Sequence, residues 1–320
     1  MSRTMILFLS QYNNQESAEY TADRGFVVTG AQTNEAPTKY AIQRLMHNDA
    51  TLDRILAFVT PKAKETAFEH YKSSIESYCT EINIVCPEII PIEDIPNDVT
   101  ISDLLQKTIL NLFPIESGDS VIIETTGGYR HAVNALTLFS RMLRYIGVQI
   151  EFSTYSDLQE KKVTDTKETD DLFAMLDAVN LFATTGNPRA LQDSIRDVTG
   201  IPEKSEFTKT LGAFYNSILC CKFEQLDDVI KNLSLAIDSF IKMEYDATDT
   251  KRLILRDLVI QIVLNKMKFV YEKDYFIKLI RWCCDNDYLQ QAVTILWEKK
   301  IRENYWKRIP YKMFVYLSQA

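Results

Sequence analysis

The sequence predicts an α/β protein in two parts: a doubly wound, mainly parallel sheet followed by an all-helical domain. Short apolar runs bounded by polar turns recur through the first half, as expected for buried strands, and segments with helical spacing separate them. This alternation indicates a parallel sheet with helices on both faces. The second half has helical periodicity almost throughout. Glycine and proline, nine of each in 320 residues, are scarcer than average, which also favours long helices.

Five apolar runs define the predicted strands of the first half. They are Met5–Leu9, Ile55–Thr60, Ile82–Cys86, Val121–Thr125 and Val148–Ser153. The helices between them are predicted from apolar residues at helical spacing, which include Tyr40 and Leu45, Tyr71 and Ile75, the stretch Leu104–Leu112, and the stretch Leu136–Ile146.

A charged run divides the two predicted domains. Residues 156–171 carry many charges and few apolar side chains, so they are interpreted as a linker. The sheet domain then covers residues 1–155 and the helical domain residues 172–320.

Composition excludes several classes of function. With 44 acidic and 36 basic residues the net charge is −8, so the chain has no broad positive surface for duplex DNA or an anionic membrane. The first apolar run, Met5–Leu9, is too short for a signal peptide or a membrane span.

The six cysteines include two adjacent pairs and no Cys-x-x-Cys, which favours neither a zinc site nor a disulfide framework. We therefore expect a cytoplasmic protein without a bound metal or other cofactor.

The most informative segment runs from Val121 to His131, where a buried strand leads into two threonines, two glycines and a helix. A Gly-Gly turn lets backbone amides approach a ligand closely, and a helix N-terminus favours phosphate. Thr125 and Thr126 add hydrogen-bond donors, Tyr129 a stacking face and Arg130 a charge. The alternative is a tight strand-to-helix turn with the arginine in solvent. Neither a dinucleotide fingerprint nor a Walker loop is present in the sequence.

Other candidates follow the ends of the first two strands, because ligands of such sheets bind beyond the carboxyl ends. Ser10, Gln11 and Asn13 follow the first strand, and Thr60 and Lys62 the second. Together with Arg130, the cations available to offset phosphate are Lys62 and Lys39. For Lys62 alone, the alternative of a solvated surface lysine is favoured.

The segment Glu124-Thr125-Thr126-Gly127-Gly128-Tyr129-Arg130 resembles the Asp-x-Thr-His/Gly-Gly-Phe-Arg signature of the CRISPR-associated Rossmann fold (CARF) family. It differs by Glu124 in place of Asp and Gly127 in place of the common His. Residues 32–37 are similar in position to the family's first ligand-contacting segment. The stretches Leu176–Gly186 and Ile280–Thr294 look like the helical region that follows the sensor domain in the Asp-x-Thr-His-Gly subgroup.

This resemblance implies a type III CRISPR ancillary protein that binds the messenger cyclic oligoadenylate across a homodimer and transmits the signal through its helices. The ligand-binding residues expected on this basis are Ser10, Gln11, Asn13, Gln32, Thr33, Asn34, Thr60, Lys62, Thr125, Thr126, Gly127, Gly128, Tyr129 and Arg130. Asn34 and Glu35 either contact adenine or cap the helix that carries Pro37 in its first turn.

Family members commonly carry a HEPN ribonuclease, in which His follows Arg after four to six residues. The histidines of this chain are His47, His70 and His131, and none has that spacing. We therefore expect no cleavage of linear RNA by this chain, and any effector to be a further domain or a partner protein. The aromatic and basic stretch from Trp297 to Arg308 indicates either RNA binding or helical packing with solvated basic ends.

Two other functions remain open. The first is a ring nuclease that cleaves the same ligand without metal, with Ser10, Thr126 and Arg130 as positioning groups and His131 as a candidate base. The second is a helical dimerisation scaffold whose sheet binds no specific ligand.

Overall fold

The computed structural model describes residues 2–12, 16–93, 95, 102, 115–128, 130–199, 206–242, 259 and 261–298. The chain divides into two compact units, Met1–Asp170 and Asp171–Ala320. The first unit contains the sheet and the second is helical, as the sequence predicts.

The described part of the first unit forms a mixed sheet of eight strands. They are β1 Arg3–Phe8, β2 Ala18–Ala22, β3 Val27–Gly30, β4 Arg54–Phe58, β5 Glu88–Ile92, β6 Ser120–Glu124, β7 Gln149–Asp157 and β8 Lys162–Asp165. Their order across the sheet is β3-β2-β8-β7-β6-β1-β4-β5. Among these strands the pairs β2–β3 and β7–β8 are antiparallel, and the others are parallel. The predicted fold class, doubly wound and mainly parallel, is confirmed.

Helices cover both faces of the parallel strands. The helices described in this unit include α1 Glu35–His47, α2 Pro61–Ala63, α3 Glu69–Glu81 and α4 Arg130–Tyr145, with a π-helical segment, Lys64–Phe68, joining α2 to α3. Alternate residues of β1 serve the two faces: Met5 and Leu7 pack with α1 and α3, whereas Ile6 and Phe8 pack with α4. This two-residue alternation in a strand buried on both sides accounts for its continuous apolar run.

The predicted strand Ile82–Cys86 is wrong. Ile82 follows the last residue of α3, and Asn83 adopts a left-handed conformation with φ of 55°, which ends the helix in a turn. Ile82, Ile84 and Cys86 are apolar because they pack against the core beneath α3. The edge strand β5 begins only at Glu88, and it tolerates Pro91 because an edge strand need not donate every amide to the ladder.

The segment 156–171 is not a free linker over most of its length. Its residues complete β7, form β8 and begin helix α5, Lys167–Thr185. The sequence did not indicate a strand here, because β8 is short and Val163 is its one fully buried residue. Strands β2 and β3 were not predicted from the sequence.

The described part of the second unit includes α5 after Asp170 and five further α-helices. They are α6 Arg189–Thr199, α7 Glu206–Leu219, α8 Leu226–Lys242, α9 Tyr275–Asp285 and α10 Leu289–Leu296. Residues 261–267 are also helical. Their apolar stripes form one core that includes Phe214, Phe269 and Trp282. The predicted helical stretch Leu104–Leu112 lies outside the described residues, as do residues 299–308 of the aromatic and basic stretch.

Candidate functional site

The candidate site lies where the strand order of the parallel sheet reverses. Within the order β5-β4-β1-β6-β7, the chain proceeds outward from β1 in one direction and from β6 in the other. The carboxyl ends of β1 and β6 therefore flank the crevice in which doubly wound sheets bind ligands. Ser10 follows β1 there, and the turn Thr125–Gly128 follows β6.

The Asn34 side chain joins three segments of the chain at this crevice. It is fully buried, and its Nδ2 donates to the Phe8 carbonyl at 3.0 Å and to the Glu124 carboxylate. Its Oδ1 accepts from the Ser10 amide at 2.9 Å and from Gln32 Nε2 at 2.8 Å. Asn34 thus fixes the ends of β1 and β6 relative to the start of α1.

Gln32 completes this buried network. Its Nε2 also donates to the Ser10 carbonyl at 2.9 Å, and its Oε1 accepts from the Asn34 amide at 2.7 Å. Gln32 and Asn34 were both predicted to contact ligand. Their side chains are instead buried beneath the turn, so they act on the site by positioning its backbone.

The predicted capping of α1 is also corrected. Asn34 occupies the position before the helix, but its side chain accepts no hydrogen bond from the first turn. The Glu35 carboxylate accepts from the amides of Ala31 and Gln32, both at 3.2 Å, and thus holds the preceding loop rather than the helix that follows.

Glu124 is the acidic centre of the network. Its carboxylate is fully buried and accepts from Asn34 Nδ2 and, at 2.7 Å, from the Thr126 amide. Burial raises the pKa of Glu124 to about 7, although hydrogen bonds from Thr126, Asn34 and Gly127 favour the ionised form and oppose the shift. The carboxyl group therefore exchanges its proton near neutral pH.

The two glycines allow the turn to approach β1. A Cβ atom on Gly127 would lie 2.0 Å from the Phe8 carbonyl oxygen and 2.2 Å from Asn34 Nδ2. Gly128 has a φ of 85°, and its amide donates to Ser10 Oγ at 3.1 Å. Position 127 therefore has no room for a side chain in this structure.

Arg130 begins α4 immediately beyond this turn, and its side chain is exposed. The site therefore combines the amide-rich N-terminus of a 16-residue helix with a guanidinium group, an arrangement suited to a phosphate. His131 is half-buried in the same first helical turn.

The remaining predicted ligand residues occupy different environments. Thr126 Oγ1 accepts from the Ser156 amide at 2.7 Å, and Thr125 Oγ1 donates to the Thr154 carbonyl at 3.0 Å. Thr60 is buried and caps α2, because its Oγ1 accepts from the Ala63 amide at 3.2 Å.

Other predicted residues are more accessible or fall outside the description. Gln11 and Thr33 are half-buried, and Lys62 is exposed. Asn13 and Tyr129 lie outside the described residues.

Lys39 does not face the crevice as a cation for phosphate. It is buried, its Nζ lies 3.4 Å from Glu35 Oε2, and it donates to the Thr29 carbonyl at 2.9 Å. The same Glu35 carboxylate is 2.9 Å from His70 Nε2, and the His70 ring stacks on Tyr12 with centroids 4.0 Å apart. Sequence reasoning missed this cluster, because Tyr12 and His70 lie far in sequence from Glu35 and Lys39 of α1 and share no motif with them.

A cavity of about 590 Å³ opens beside the turn, between α4, β6, β7 and the start of α5. Its lining includes Thr125, Thr126, Gly128 and Arg130 of the predicted motif, and also Ser140, Ser153 and Asp170. Asp170 lies in the charged run 156–171, and nothing in the sequence there indicates that its side chain is buried.

Two general properties of the described residues bear on the site. No group of three or more histidine, cysteine, aspartate or glutamate side chains among them is arranged to hold a metal ion. None of the helices in the described part of the chain is long and apolar enough to cross a membrane.

Comparison with known proteins finds similar chains among the solved structures. No protein-family model matches the chain, and none of the curated proteins matches it. Among solved structures the chain is similar to Enterococcus italicus Csm6 bound to cyclic hexa-2'-fluoro-hexa-dAMP, with 11% sequence identity and a TM-score of 0.42. This match covers 98% of the present chain and 70% of the other.

Proposed function

We propose that this chain is a sensor of cyclic oligoadenylate, the messenger of type III CRISPR systems, and that it binds the ring at the switch point of the sheet. The observation that carries the proposal is the fixed turn Thr126–Gly128, which is held by Ser10, Asn34 and Glu124 and leads into α4 and Arg130. The identity of the ligand is inferred from the resemblance of residues 124–130 to the CARF signature.

The electrostatics of the site support an anionic ligand despite the net charge of −8. A helix N-terminus contributes roughly 0.3–1 kcal/mol toward a nearby anion at a surface, and a charged hydrogen bond about 1.5–3 kcal/mol. Both act at the same point here, because Arg130 is the first residue of α4. The binding therefore depends on local groups rather than on the overall field of the protein.

Preorganisation also supports binding at this turn. The Gly128 amide is held by Ser10, and the Thr126 amide by Glu124, so the backbone is in place before a ligand arrives. Little conformational entropy is then lost on binding, which favours affinity.

We further propose that two chains bind one ring and that the helical unit transmits the resulting change to a further domain or partner. A ring of identical nucleotides has rotational symmetry, and an isologous pair of chains presents the same turn to it twice.

The helical unit contributes no histidine, the side chain best matched to proton transfer near neutral pH.

The decisive experiment incubates the chain with radiolabelled cyclic tetra-adenylate and, separately, cyclic hexa-adenylate, and follows both retention by the protein and integrity of the ring. We expect one of the rings to be retained intact. Conversion to linear fragments would favour the ring nuclease. Retention of neither ring would favour the dimerisation scaffold and contradict the proposal.

A further inference from the structure

The cavity beside α4 runs from the turn after β6 into the interior of the first unit. Gly128 and Arg130 are exposed at one end of its lining, whereas Ser140 and Ser153 are buried at the other. Arg130 and Ser140 are ten residues apart on one helix, so the cavity extends about 15 Å along the α4 axis. Its volume of about 590 Å³ is within the usual range for small-molecule sites. The cavity is therefore large enough to receive part of a ligand whose phosphate lies at Arg130.

Tyr155 places an aromatic side chain at the lining of this cavity. Strand β6 ends at Glu124, whose partner on β7 is Thr154, so Tyr155 lies one residue beyond the last paired residue of β6. Tyr155 therefore has no cross-strand partner on β6, and it is 42% exposed. The Ser156 amide donates to Thr126 Oγ1 at 2.7 Å, which holds the backbone next to Tyr155 against the turn. The aromatic ring is thus fixed beside the groups that suit a phosphate.

Other residues of the lining suit a flat ring that binds mainly by stacking. Ile123 and Val133 contribute apolar surface. Thr125 and Thr137 also line the cavity, and their hydroxyl groups donate to the carbonyls of Thr154 and Val133, both at 3.0 Å. Because these two hydroxyls already have acceptors, a ligand beside them need not supply a hydrogen bond in place of water. A nucleobase, which is flat and has a weakly polar face, fits such a lining.

We propose that this cavity is a nucleobase pocket, in which one base of the bound ring stacks against Tyr155 while Arg130 binds the phosphate of the same nucleotide. This inference rests on the proposed function. Stacking on an aromatic side chain contributes to the binding of every base, because each base has a π face. Tyr155 therefore adds affinity that the phosphate contacts alone do not provide, and it determines where the base lies once the phosphate is bound.

The test compares Tyr155→Ala with Tyr155→Phe, because phenylalanine keeps the aromatic ring and alanine removes it. Equilibrium binding is measured for the cyclic oligoadenylate that the parent chain binds more tightly, tetra- or hexa-adenylate. We expect Tyr155→Ala to bind at least about tenfold more weakly, as for the loss of one base–aromatic stack, and Tyr155→Phe to bind within about twofold of the parent. The matched control is Tyr145→Ala, which should bind like the parent, because Tyr145 is 76% exposed at the end of α4 and does not line the cavity.

A fluorescent base distinguishes stacking from a general loss of affinity. 2-Aminopurine, whose emission falls when its ring is stacked, replaces one adenine of the ring, and the emission is measured at saturating protein. The bound ring should be brighter with Tyr155→Ala than with the parent or Tyr155→Phe. Should Tyr155→Ala fail to fold, as judged by circular dichroism, Tyr155→Leu replaces it, since leucine is apolar without being aromatic. Equal affinity or equal emission for the parent and the non-aromatic variant would overturn the inference while leaving the sensor function intact.

A chain that binds neither ring contradicts the proposed function, and a second probe then decides the inference separately. This probe is 2-aminopurine riboside monophosphate, a single nucleotide with the same fluorescent base. Its emission should fall on titration with the parent and with Tyr155→Phe, but not with Tyr155→Ala. Emission that does not change with the parent, or that falls equally with all three proteins, would show that the cavity is not a nucleobase pocket built on Tyr155.

Discussion

Asn34 and Glu124 position the turn Thr125–Gly128, which precedes Arg130 at the start of α4. They are 90 residues apart in sequence, yet each satisfies the other's hydrogen-bonding groups in a buried site. A buried polar network is stabilising only when its members are satisfied, so the loss of either partner leaves an unsatisfied group in the interior. Conservative substitutions at these residues therefore affect both stability and ligand binding.

Arg130 is predicted to bind ligand phosphate. Arg130→Ala should weaken binding of cyclic oligoadenylate by about 1.5–3 kcal/mol, the range for a charged hydrogen bond, without changing the melting temperature. Isothermal titration at physiological salt measures the difference. Arg144→Ala, the same charge change in the last turn of α4, serves as the control and should bind like the parent. Equal affinities for Arg130→Ala and the parent would remove Arg130 from the site.

Gly127 is predicted to tolerate no side chain. A Cβ atom would overlap the Phe8 carbonyl and Asn34, so Gly127→Ala should destabilise the protein by about 1–3 kcal/mol and displace the turn enough to abolish binding.

Gly118→Ala is the control for Gly127→Ala, because it introduces backbone strain without steric overlap. Gly118 has a φ of 92°, and no atom lies within 4 Å of an added Cβ. Its cost is about 1–2 kcal/mol of strain, with binding retained. Thermal unfolding and ligand titration of both variants make the comparison. A Gly127→Ala protein that binds normally would show that the turn is not closely packed.

Glu124 makes the stability of the folded protein depend on pH, and its raised pKa gives the direction of that dependence. Because burial raises its pKa from 4.5 to about 7, the folded state holds the proton more tightly than the unfolded state. The resulting stabilisation is complete below about pH 4.5 and is lost as the pH rises through 7, and it amounts to about 3 kcal/mol at most.

Urea unfolding of the parent and of Glu124→Gln between pH 5 and 8 tests this dependence. The free energy of unfolding of the parent should fall relative to that of the variant across this range. Glu65→Gln, at an exposed position, should follow the parent. Parallel curves for the parent and Glu124→Gln would mean that the carboxyl group titrates outside this range.

At the scale of elements, α9 is central to the helical unit. Its Trp282 is buried against Phe214, Phe269 and Tyr288, with ring centroids 5.4, 6.1 and 5.8 Å away. Trp282→Ala should cost about 3–5 kcal/mol in the unfolding of this unit, as for other large-to-small core substitutions.

Trp297 is 62% exposed and provides the matched control, since Trp297→Ala should change the stability by less than about 0.5 kcal/mol. Denaturant unfolding followed by circular dichroism measures both variants. Similar losses for the two would contradict the central position of α9 in the core.

At the scale of the whole molecule, the proposed symmetric binding predicts one ring for every two chains. Calorimetry should therefore give a stoichiometry of one half per chain, and sedimentation at micromolar concentration with ligand should give a dimer. The physical reason is that a symmetric ligand needs a matching pair of sites. One ring bound by each monomer would contradict the dimeric sensor while leaving the turn as a nucleotide site.

The alternation of apolar runs and helical spacing determined the fold class, because burial on both faces of a strand and on one face of a helix leaves a local pattern in the sequence. Strands β1, β4, β6 and β7 and the helices between them were predictable on this basis. The turn after β6 was predictable as well, since Gly127, Gly128 and Arg130 are adjacent in the chain.

Only the tertiary structure shows where the polar side chains of the predicted site lie. Gln32 and Asn34 have the residue types of ligand contacts, but they are buried and hydrogen-bonded to backbone groups distant in sequence, whereas Thr60 caps the short helix that follows it. Asp170, within a charged run, became part of the cavity because β7 and α4 bring Ser153 and Ser140 to it. Hydrogen bonds between residues far apart in sequence leave no local periodicity, and so the strands and contacts that depend on them appear only once the chain has folded.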